Sequence, residues 1–282
     1  MSADLEQFYA LKGVSPAQIK LQKHIASGGI SDLWLATHES VDAPFVVKYA
    51  RTPNTPYIYG QFEREYECFQ VLKKQGLTHF VTSIFAFDVD GEDHSYLIEE
   101  YFPSESLESY MKHCTSWAQV RICLRDIAQK LVRIHAADII HRDIKPGNIL
   151  INAQGEIRII DFALAAIHGQ WHPSHKEGMA LGTPLYMSPE QAFGRHDDLT
   201  SACDWYAFGI IIFEWLSGCV PFKGETAKDT MQMHCFAEPP MPLDMNIPDA
   251  PDSLPAIVQG MLSKETAPRL QAVRQLASLL KD

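Results

Sequence analysis

The period of the hydrophobic positions changes along the chain, and the first third consists mainly of short β-like runs. Residues 19–48 predict three strands, which are separated by the glycine pair Gly28-Gly29 and by a turn at Asp42-Ala43-Pro44. A hairpin is predicted at Asp90-Gly91, and the strand that leaves it covers residues 96–101. This part of the chain is therefore expected to fold around a β-sheet.

Helical spacing of apolar residues predicts the remaining elements. A short helix is predicted over residues 3–11 and an amphipathic helix over residues 61–74, whose apolar positions are Phe62, Tyr66, Phe69 and Leu72. Ser116 and Gln119 predict a capping box in front of a long helix. The apolar stripe of that helix is formed by Val120, Cys123, Ile127, Leu131 and Ile134. Beyond residue 162 only helices and loops are expected, so the fold class is α+β.

The composition is that of an ordinary globular protein and argues against several functional classes. Of the 282 residues, 46% are hydrophobic and 21% are charged, which allows a sizeable core. The net charge of −11 argues against a nucleic-acid-binding protein and favours a basic protein partner. We find neither a membrane-spanning apolar run nor a signal-peptide pattern, and the six cysteines lack disulfide spacing. We therefore expect a cytoplasmic protein that does not bind a membrane.

One stretch, HRDIKPGNILINAQGEIRIIDF at residues 141–162, has the spacing that a phosphoryl-transfer site needs. Two β-prone runs flank a turn-rich segment, so the chain should fold back as a hairpin and bring Asp161 beside Asn148. A carboxylate and an amide oxygen placed together can bind the Mg²⁺ ions that bridge nucleotide phosphates. Asp143 is then left to accept a proton from an incoming hydroxyl. The alternative, solvated loop acids, leaves the joint spacing unexplained.

These residues closely resemble the catalytic loop and metal-binding motif of the eukaryotic-like serine/threonine protein kinases, H-R-D-x-K-x-x-N followed by D-F-G. The resemblance covers nearly the whole chain and is to the bacterial group of these kinases. It implies the bilobal protein kinase fold over residues 19–282, behind an N-terminal extension of residues 1–18. A β-rich N-lobe would reach to about residue 101, and a helical C-lobe would cover residues 102–282.

The resemblance also implies roles for individual residues. Asp143 would orient and deprotonate the acceptor hydroxyl, and Lys145 would neutralise charge on the transferred phosphoryl group. Asn148 and Asp161 would bind Mg²⁺, with ATP as the phosphoryl donor.

The nucleotide side of the implied site lies earlier in the chain. Lys48 ends the strand FVVK and would hold the α- and β-phosphates of ATP, with Glu65 as its partner. The positions that would contact the nucleotide are Ile25, Gly28, Gly29, Leu33, Val46, Lys48, Glu100 and Asn148.

The segment GTPLYMSPEQ at residues 182–191 resembles the family's substrate-positioning loop and its A-P-E motif. Small-molecule kinases generally lack this segment, so the resemblance implies a protein substrate. Thr183 and the lysine of the catalytic loop resemble the residues that serine/threonine kinases, rather than tyrosine kinases, have at these positions. Glu190 should form a buried ion pair with Arg269, and Asp204 should brace the catalytic loop through its backbone.

Three departures from the family pattern point to an alternative function. D-F-G reads Asp161-Phe162-Ala163, the glycine-rich loop keeps only its central glycine, Gly28, and Glu99 stands at the normally apolar gatekeeper position. The alternative is a pseudokinase, a nucleotide-binding scaffold with weak or no transfer activity. Because every charged catalytic position is intact, we favour the active enzyme.

Regulation is open at this point. Arg142 is typical of kinases in which an anion of the activation segment neutralises this arginine. The anion would be either a phosphorylated Ser174 or the built-in carboxylate of Glu177. Ser174 is the single hydroxyl residue between Ala163 and Gly182, which favours Glu177. A regulatory protein partner stays open as well.

Overall fold

A computed structural model describes four stretches of the chain, which are residues 19–167, 180–194, 199–242 and 247–281. The predicted helix over residues 3–11 lies outside them. The described residues form two compact units, unit 1 up to residue 103 and unit 2 from residue 104 onward. Unit 1 is rich in β-structure and unit 2 is mainly helical, which confirms the α+β class.

Unit 1 is built on a five-stranded antiparallel sheet and one long helix. Its strands β1 to β5 are Lys20–Ser27, Ser31–His38, Val41–Ala50, Ile84–Val89 and Ser95–Glu100. They lie in the order β1-β2-β3-β5-β4. Helix α1, Pro56–Lys74, packs against β4 and β5, and a short 3₁₀ turn follows at Thr78–Phe80.

The two faces of this sheet differ in chemistry. One face carries Phe45, Val47 and Ile98 into an apolar core. Side chains alternate along a strand, so Lys48 lies on the opposite face. The strand register sets Lys48 opposite Leu97 of β5. The sheet thus separates a packed core from a face that bears a charge.

The predicted turn at residues 42–44 was wrong, because these residues lie inside β3. The chain turns instead at Glu39-Ser40, where the backbone N–H of Ser40 donates to Nδ1 of His38 at 3.1 Å. Pro44 cannot donate a ladder hydrogen bond, but the pairing of β3 with β5 begins only at Phe45. The ladder between β2 and β3 is also irregular near this point. Proline is tolerated at such positions.

Helix α1 confirms the predicted amphipathic helix but begins five residues earlier than residue 61. The side chain of Thr55 accepts a hydrogen bond from the N–H of Ile58 at 3.2 Å, and Pro56 occupies the first turn. Both features are common at helix starts. Glu65 is buried on this helix, 4% exposed, although it is charged.

Unit 2 contains seven described helices and five short strands. The helices α2 to α8 are Leu107–Met111, Trp117–Ala136, Pro189–Ala192, Ala202–Ser217, Ala227–Phe236, Leu254–Met261 and Thr266–Leu279. The strands β6 to β10 are Glu105–Ser106, Ile139–Ile140, Ile149–Ile151, Ile157–Ile159 and Ala166–Ile167. One sheet has the order β6-β8-β9, and β7 pairs with β10 in a second. The expectation of only helices and loops after residue 162 was therefore wrong for β10, which is too short to show a period.

Helix α3 confirms the predicted apolar stripe, whose five residues are all buried. Ser116 is its N-cap residue, but the predicted capping box is absent: the Ser116 side chain makes no capping hydrogen bond. The side-chain oxygen of Gln119 instead accepts from the thiol of Cys114 at 3.8 Å. Within the described part of the chain, no helix combines the length and apolar character needed to cross a membrane.

Candidate active site

The loop of residues 141–148, which joins β7 to β8, gathers hydrogen-bond donors around one carboxylate. Asp143 is 8% exposed. Its Oδ1 accepts from the backbone N–H of Thr183 at 2.9 Å and from the Thr183 hydroxyl at 2.7 Å. Its Oδ2 accepts from Lys145 Nζ at 2.6 Å and from Asn148 Nδ2 at 3.1 Å. The carboxylate is thus oriented through both of its oxygens.

Lys145 and Thr183 are also bonded to each other. Lys145 Nζ donates to the Thr183 hydroxyl at 2.9 Å. The three side chains of Asp143, Lys145 and Thr183 therefore form a closed hydrogen-bonded group. The segment after residue 181 is joined to the catalytic loop at this point.

The side-chain amide of Asn148 is held in place through its nitrogen. Its Nδ2 donates to the backbone oxygen and to Oδ2 of Asp143, so the amide oxygen points to the other side of the group. The N–H of Ile160 donates to the Asn148 backbone oxygen at 3.0 Å, which brings the next residue, Asp161, beside Asn148 as predicted. A carboxylate and an amide oxygen suit a hard cation.

Two side chains are few for a metal site, but an Mg²⁺ ion that is bound to nucleotide phosphates needs few ligands from a protein. In the described part of the chain, no group of three or more His, Cys, Asp or Glu residues is placed to hold a metal ion. Mg²⁺ bound to nucleotide phosphates keeps several waters and uses one or two carboxylates, because the phosphates complete its octahedron. Asn148 and Asp161 therefore fit such an ion.

Two residues of this site have left-handed backbone conformations. The φ angles are +69° at Arg142 and +67° at Asp161. Such angles are uncommon outside glycine and persist where the surroundings hold them. Arg142 is held on both sides, because its N–H donates to Asp204 at 2.8 Å and its carbonyl accepts from Gln191 Nε2 at 2.6 Å.

Asp204 on α5 braces the catalytic loop, as predicted. Its carboxylate accepts from the backbone N–H groups of His141 at 2.9 Å and Arg142 at 2.8 Å. His135 Nε2 lies 2.8 Å from the same carboxylate. Burial alone would raise the pKa of Asp204, but the hydrogen bond and charge of His135, with His141, hold the pKa below its usual value. Asp204 therefore stays ionised in the interior.

The predicted pair of Glu190 and Arg269 is present. Arg269 is fully buried and donates to the two carboxylate oxygens of Glu190 at 2.6 and 3.2 Å. It also donates to the backbone oxygen of Ala202 at 3.0 Å. This bidentate pair connects α4 with α8 and with the start of α5.

In unit 1, the predicted partners Lys48 and Glu65 are bonded. Lys48 Nζ lies 2.6 Å from Glu65 Oε2, and both residues are buried. Leu33 of β2 lies opposite Lys48 in the sheet register, and Val46 lies two residues earlier on the same face. Ile25 of β1 is 44% exposed. A charged pair and apolar side chains thus share one face of the sheet.

The glycine-containing turn between β1 and β2 is tight. The N–H of Gly28 donates to the backbone oxygen of Ser31 at 2.7 Å. A side chain at Gly29 would meet no atom within 4 Å, so this glycine is open to its surroundings. Next to the turn, Ser27 donates to Asp32 at 2.7 Å.

Glu99 and Glu100 end strand β5. Glu99 is 8% exposed and lies opposite Val46, which places it on the same face of the sheet as Lys48. The N–H of Glu100 donates to the backbone oxygen of Ser83 at 2.8 Å, and Glu100 Oε2 accepts from the N–H of Ser83 at 3.2 Å. An acid at 99 thus belongs to the charged face rather than to the apolar core.

Comparison with known families decides the assignment. The protein kinase domain family matches residues 19–279. The chain belongs to the protein kinase family.

Several curated relatives of this kinase domain come from bacteria. It is 32% identical to the serine/threonine-protein kinase PknA of Mycobacterium tuberculosis (strain ATCC 25618 / H37Rv) over 259 residues, which are 90% of this chain and 58% of PknA. It is 27% identical to the serine/threonine-protein kinase Pkn1 of Myxococcus xanthus over 277 residues, 96% of this chain and 39% of Pkn1. The kinase domain thus spans little more than half the length of PknA and less of Pkn1.

The kinase motifs pointed to most of the residues described above, but Gln191 and His135 were missed. Gln191 bonds the Arg142 carbonyl and forms a capping box with Ser188, whose S-x-x-Q pattern is visible in the sequence. No sequence pattern points to His135, because its contact with Asp204 joins two helices that are far apart along the chain. Ser174 and Glu177, the two candidate partners of Arg142, lie outside the described residues.

Proposed function

We propose that this kinase domain transfers the γ-phosphoryl group of ATP to serine and threonine hydroxyls of proteins. The bonded group of Asp143, Lys145 and Thr183 supports this proposal most strongly. It combines a base, a cation and the hydroxyl residue of the substrate-positioning segment within hydrogen-bond distance. The bacterial serine/threonine-protein kinases that the chain resembles support the same activity.

Each residue of the group has a proposed task. Asp143 accepts a hydrogen bond from the acceptor hydroxyl and takes its proton as the new P–O bond forms, while the bond between the γ-phosphorus and the β,γ-bridging oxygen breaks and ADP leaves. Lys145, now bonded to Asp143, stabilises negative charge on the transferred phosphoryl group. Thr183 fixes the carboxylate through its hydroxyl and its N–H, so the base is oriented before the substrate arrives.

The cofactors we propose are ATP and Mg²⁺. Mg²⁺ would neutralise phosphate charge, and Asn148 and Asp161 would hold it. Lys48 would bind the α- and β-phosphates of ATP, and Glu65 would hold Lys48 in place. The remaining contacts to the nucleotide are proposed for Ile25, Gly28, Gly29, Leu33, Val46 and Glu100.

The domain limits and partners extend the proposal. We assign residues 19–282 to the kinase domain, with the N-lobe ending near residue 101, and residues 1–18 to an extension. The partners would be protein substrates and a regulatory protein, with neither nucleic acid nor a membrane involved. Because ATP is supplied in the cytoplasm, we place the reaction there.

A transfer assay tests the proposal directly. Purified protein is incubated with labelled ATP, Mg²⁺ and a general substrate such as casein, and incorporation of label at serine and threonine is measured. Asp143→Asn should abolish incorporation, whereas Asp252→Asn, an exposed acid outside the site, should not. Nucleotide-dependent thermal stabilisation of a wild-type protein that transfers no label would instead identify a pseudokinase.

A further inference from the structure

Arg51, which directly follows strand β3, is bonded to the start of β2 at two points. Its backbone N–H donates to the backbone oxygen of Ile30 at 2.9 Å. Its side-chain Nε donates to Asp32 Oδ1 at 3.0 Å, and the two charged groups form an ion pair. The end of β3 therefore holds both the backbone and a side chain of the segment that leaves the glycine-containing turn.

The same carboxylate oxygen is bonded to β1 on the other side of the turn. The Ser27 hydroxyl donates to Asp32 Oδ1 at 2.7 Å, and these two residues are paired in the strand register. Because the hydroxyl proton is used in this bond, the 3.0 Å contact between Ser27 Oγ and His24 Nε2 needs a proton on the histidine nitrogen. The hydrogen bond from Ser27, followed by Arg51, lowers the pKa of Asp32, although partial burial acts to raise it. The Asp32 carboxylate is therefore ionised at neutral pH, and one polar chain crosses the three strands.

Residues 28–30, the turn that this chain encloses, are held mainly at their two ends. Inside the turn, the N–H of Gly28 donates to the backbone oxygen of Ser31 at 2.7 Å. Neither Gly28 nor Gly29 has a positive φ angle, so the shape of the turn does not depend on a left-handed glycine. A Cβ atom at Gly29 would meet nothing within 4 Å, so packing does not hold the turn there. The bonds of Ser27, Asp32 and Arg51 therefore decide where the turn lies.

The turn presents two backbone donors. Among the residues that the structure describes, no backbone oxygen accepts a hydrogen bond from the N–H of Gly29 or from that of Ile30. Successive N–H groups of a turn can form a concave site for an anion. The phosphates of ATP are the anions that the proposed reaction brings to this end of the sheet.

We propose that Asp32 and Arg51 are positioning residues for the nucleotide. Together with Ser27 they fix the turn between β1 and β2, so that its N–H groups are in place for the phosphates before ATP binds. The turn keeps only one glycine of the family pattern, and these side-chain bonds give it a defined shape instead. This inference rests on the proposed kinase function.

Variants that keep the net charge separate positioning from a general effect of charge on ATP. The double variant Asp32→Ala/Arg51→Ala removes the ion pair. The double variant Asp32→Arg/Arg51→Asp exchanges the two charges and restores the pair, and the Ser27 hydroxyl can then accept from the introduced guanidinium. Glu39→Ala/Lys74→Ala, at two exposed residues of the same unit, removes the same charges elsewhere and is the control.

Nucleotide affinity gives the first readout, with a non-hydrolysable ATP analogue and Mg²⁺ in a calorimeter. Because the paired side chains are partly exposed, each bond is weak, and Asp32→Ala/Arg51→Ala should weaken binding about fivefold, which corresponds to roughly 1 kcal/mol. KM for ATP should rise by a similar factor, with kcat and KM for the protein substrate within about twofold of wild type. The charge-exchanged variant and the control should bind within about twofold of wild type. Equal weakening in both Asp32/Arg51 double variants, or weakening in neither, would overturn the proposal.

Hydrogen exchange without nucleotide gives a readout that needs no activity. The Gly28 amide, which is bonded inside the turn, should exchange several-fold faster in Asp32→Ala/Arg51→Ala and in the uncharged variant Ser27→Ala. It should exchange at the wild-type rate in the charge-exchanged variant. Unchanged exchange in all three variants would refute the positioning role even in an active enzyme. The predicted exchange pattern in a wild-type protein that binds no ATP analogue would refute the proposed kinase function and leave only the fixed turn standing.

Discussion

Gln191 Nε2 donates a 2.6 Å hydrogen bond to the backbone carbonyl of Arg142, which connects the substrate-positioning segment with the catalytic loop. The same nitrogen donates to the carbonyl of Leu181 at 3.2 Å. Gly182, which follows Leu181, has a φ angle of +125°. A Cβ atom added to this glycine would lie 3.1 Å from the Arg142 carbonyl oxygen. The close approach of the two segments therefore depends on a glycine and a glutamine together.

We predict that Gln191→Ala destabilises the domain by about 1–3 kcal/mol, because two buried carbonyls lose their donor. kcat should fall more than KM for ATP rises, since the left-handed Arg142 precedes Asp143. Urea unfolding and steady-state kinetics measure both effects. Gln154→Ala, at an exposed glutamine in the β8–β9 turn, is the control and should change stability by less than about 0.5 kcal/mol. Equal losses in the two variants would contradict the assigned role of Gln191.

Asp161 offers a charge test that leaves the backbone undisturbed. At φ +67°, asparagine is tolerated about as well as aspartate, whereas alanine adds a cost of roughly 1–2 kcal/mol. Asp161→Asn should therefore lower kcat at least about a hundredfold, because the proposed metal ligand loses its charge, while unfolding free energy stays within about 1 kcal/mol of wild type. Asp161→Ala should lose the same activity and more stability. Wild-type phosphoryl transfer by Asp161→Asn would remove this residue from the metal site.

The parts of the site that could be predicted are those that a motif encodes. Asp143, Lys145, Asn148 and Asp161 lie on one loop and one hairpin, so their spacing in the chain nearly determines their spacing in space. The Lys48 and Glu65 pair joins a strand to a helix, and only the family resemblance suggested it. Spacing alone would not have found it.

The parts that could not be predicted depend on contacts between distant elements. His135 and His234 are ordinary helix residues in the sequence, and only packing places one at Asp204 and the other at the Tyr206 hydroxyl. The turn at 42–44 was predicted from local chemistry that favours turns at Pro44. The start of β3 is not paired with β5, and this allows the strand to include the proline. No local sequence pattern shows where this pairing begins.

Glu99 provides a prediction on the nucleotide side. It is buried on the same face of the sheet as Lys48 and lies opposite Val46, two residues before the lysine, so we expect its charge to compete with Glu65 for the lysine. Glu99→Gln should lower KM for ATP about fivefold, which corresponds to roughly 1 kcal/mol. Glu39→Gln, at an exposed acid of the same unit, should leave KM unchanged. An unaltered KM in Glu99→Gln would rule out the competition.

The buried pair of Arg269 and Glu190 predicts a large loss when one partner is removed. Arg269→Met should destabilise the domain by about 3–5 kcal/mol, because Glu190 would lose its bidentate counter-charge. Arg274→Met, at an exposed position of the same helix, should cost less than about 0.5 kcal/mol. Adding Glu190→Gln to Arg269→Met should recover part of the loss. Strict additivity of the two changes would mean that the pair is not coupled.

His234 predicts how stability depends on pH. Its pKa in the folded protein is about 4, below the ordinary value of 6.5, because of burial and then the charge of Lys264. Below pH 6.5 the unfolded chain binds a proton that the folded chain does not, so the unfolding free energy falls as the pH falls toward 4. Between pH 7 and pH 5 the wild type should therefore lose about 2 kcal/mol more than His234→Asn, as measured by urea unfolding.

The lowered pKa of Asp204 lies below this interval and does not contribute to the difference. His79→Asn, at an exposed histidine, is the control and should follow the wild-type curve. Parallel curves for wild type and His234→Asn would show that folding does not lower the pKa of His234 and would contradict this prediction.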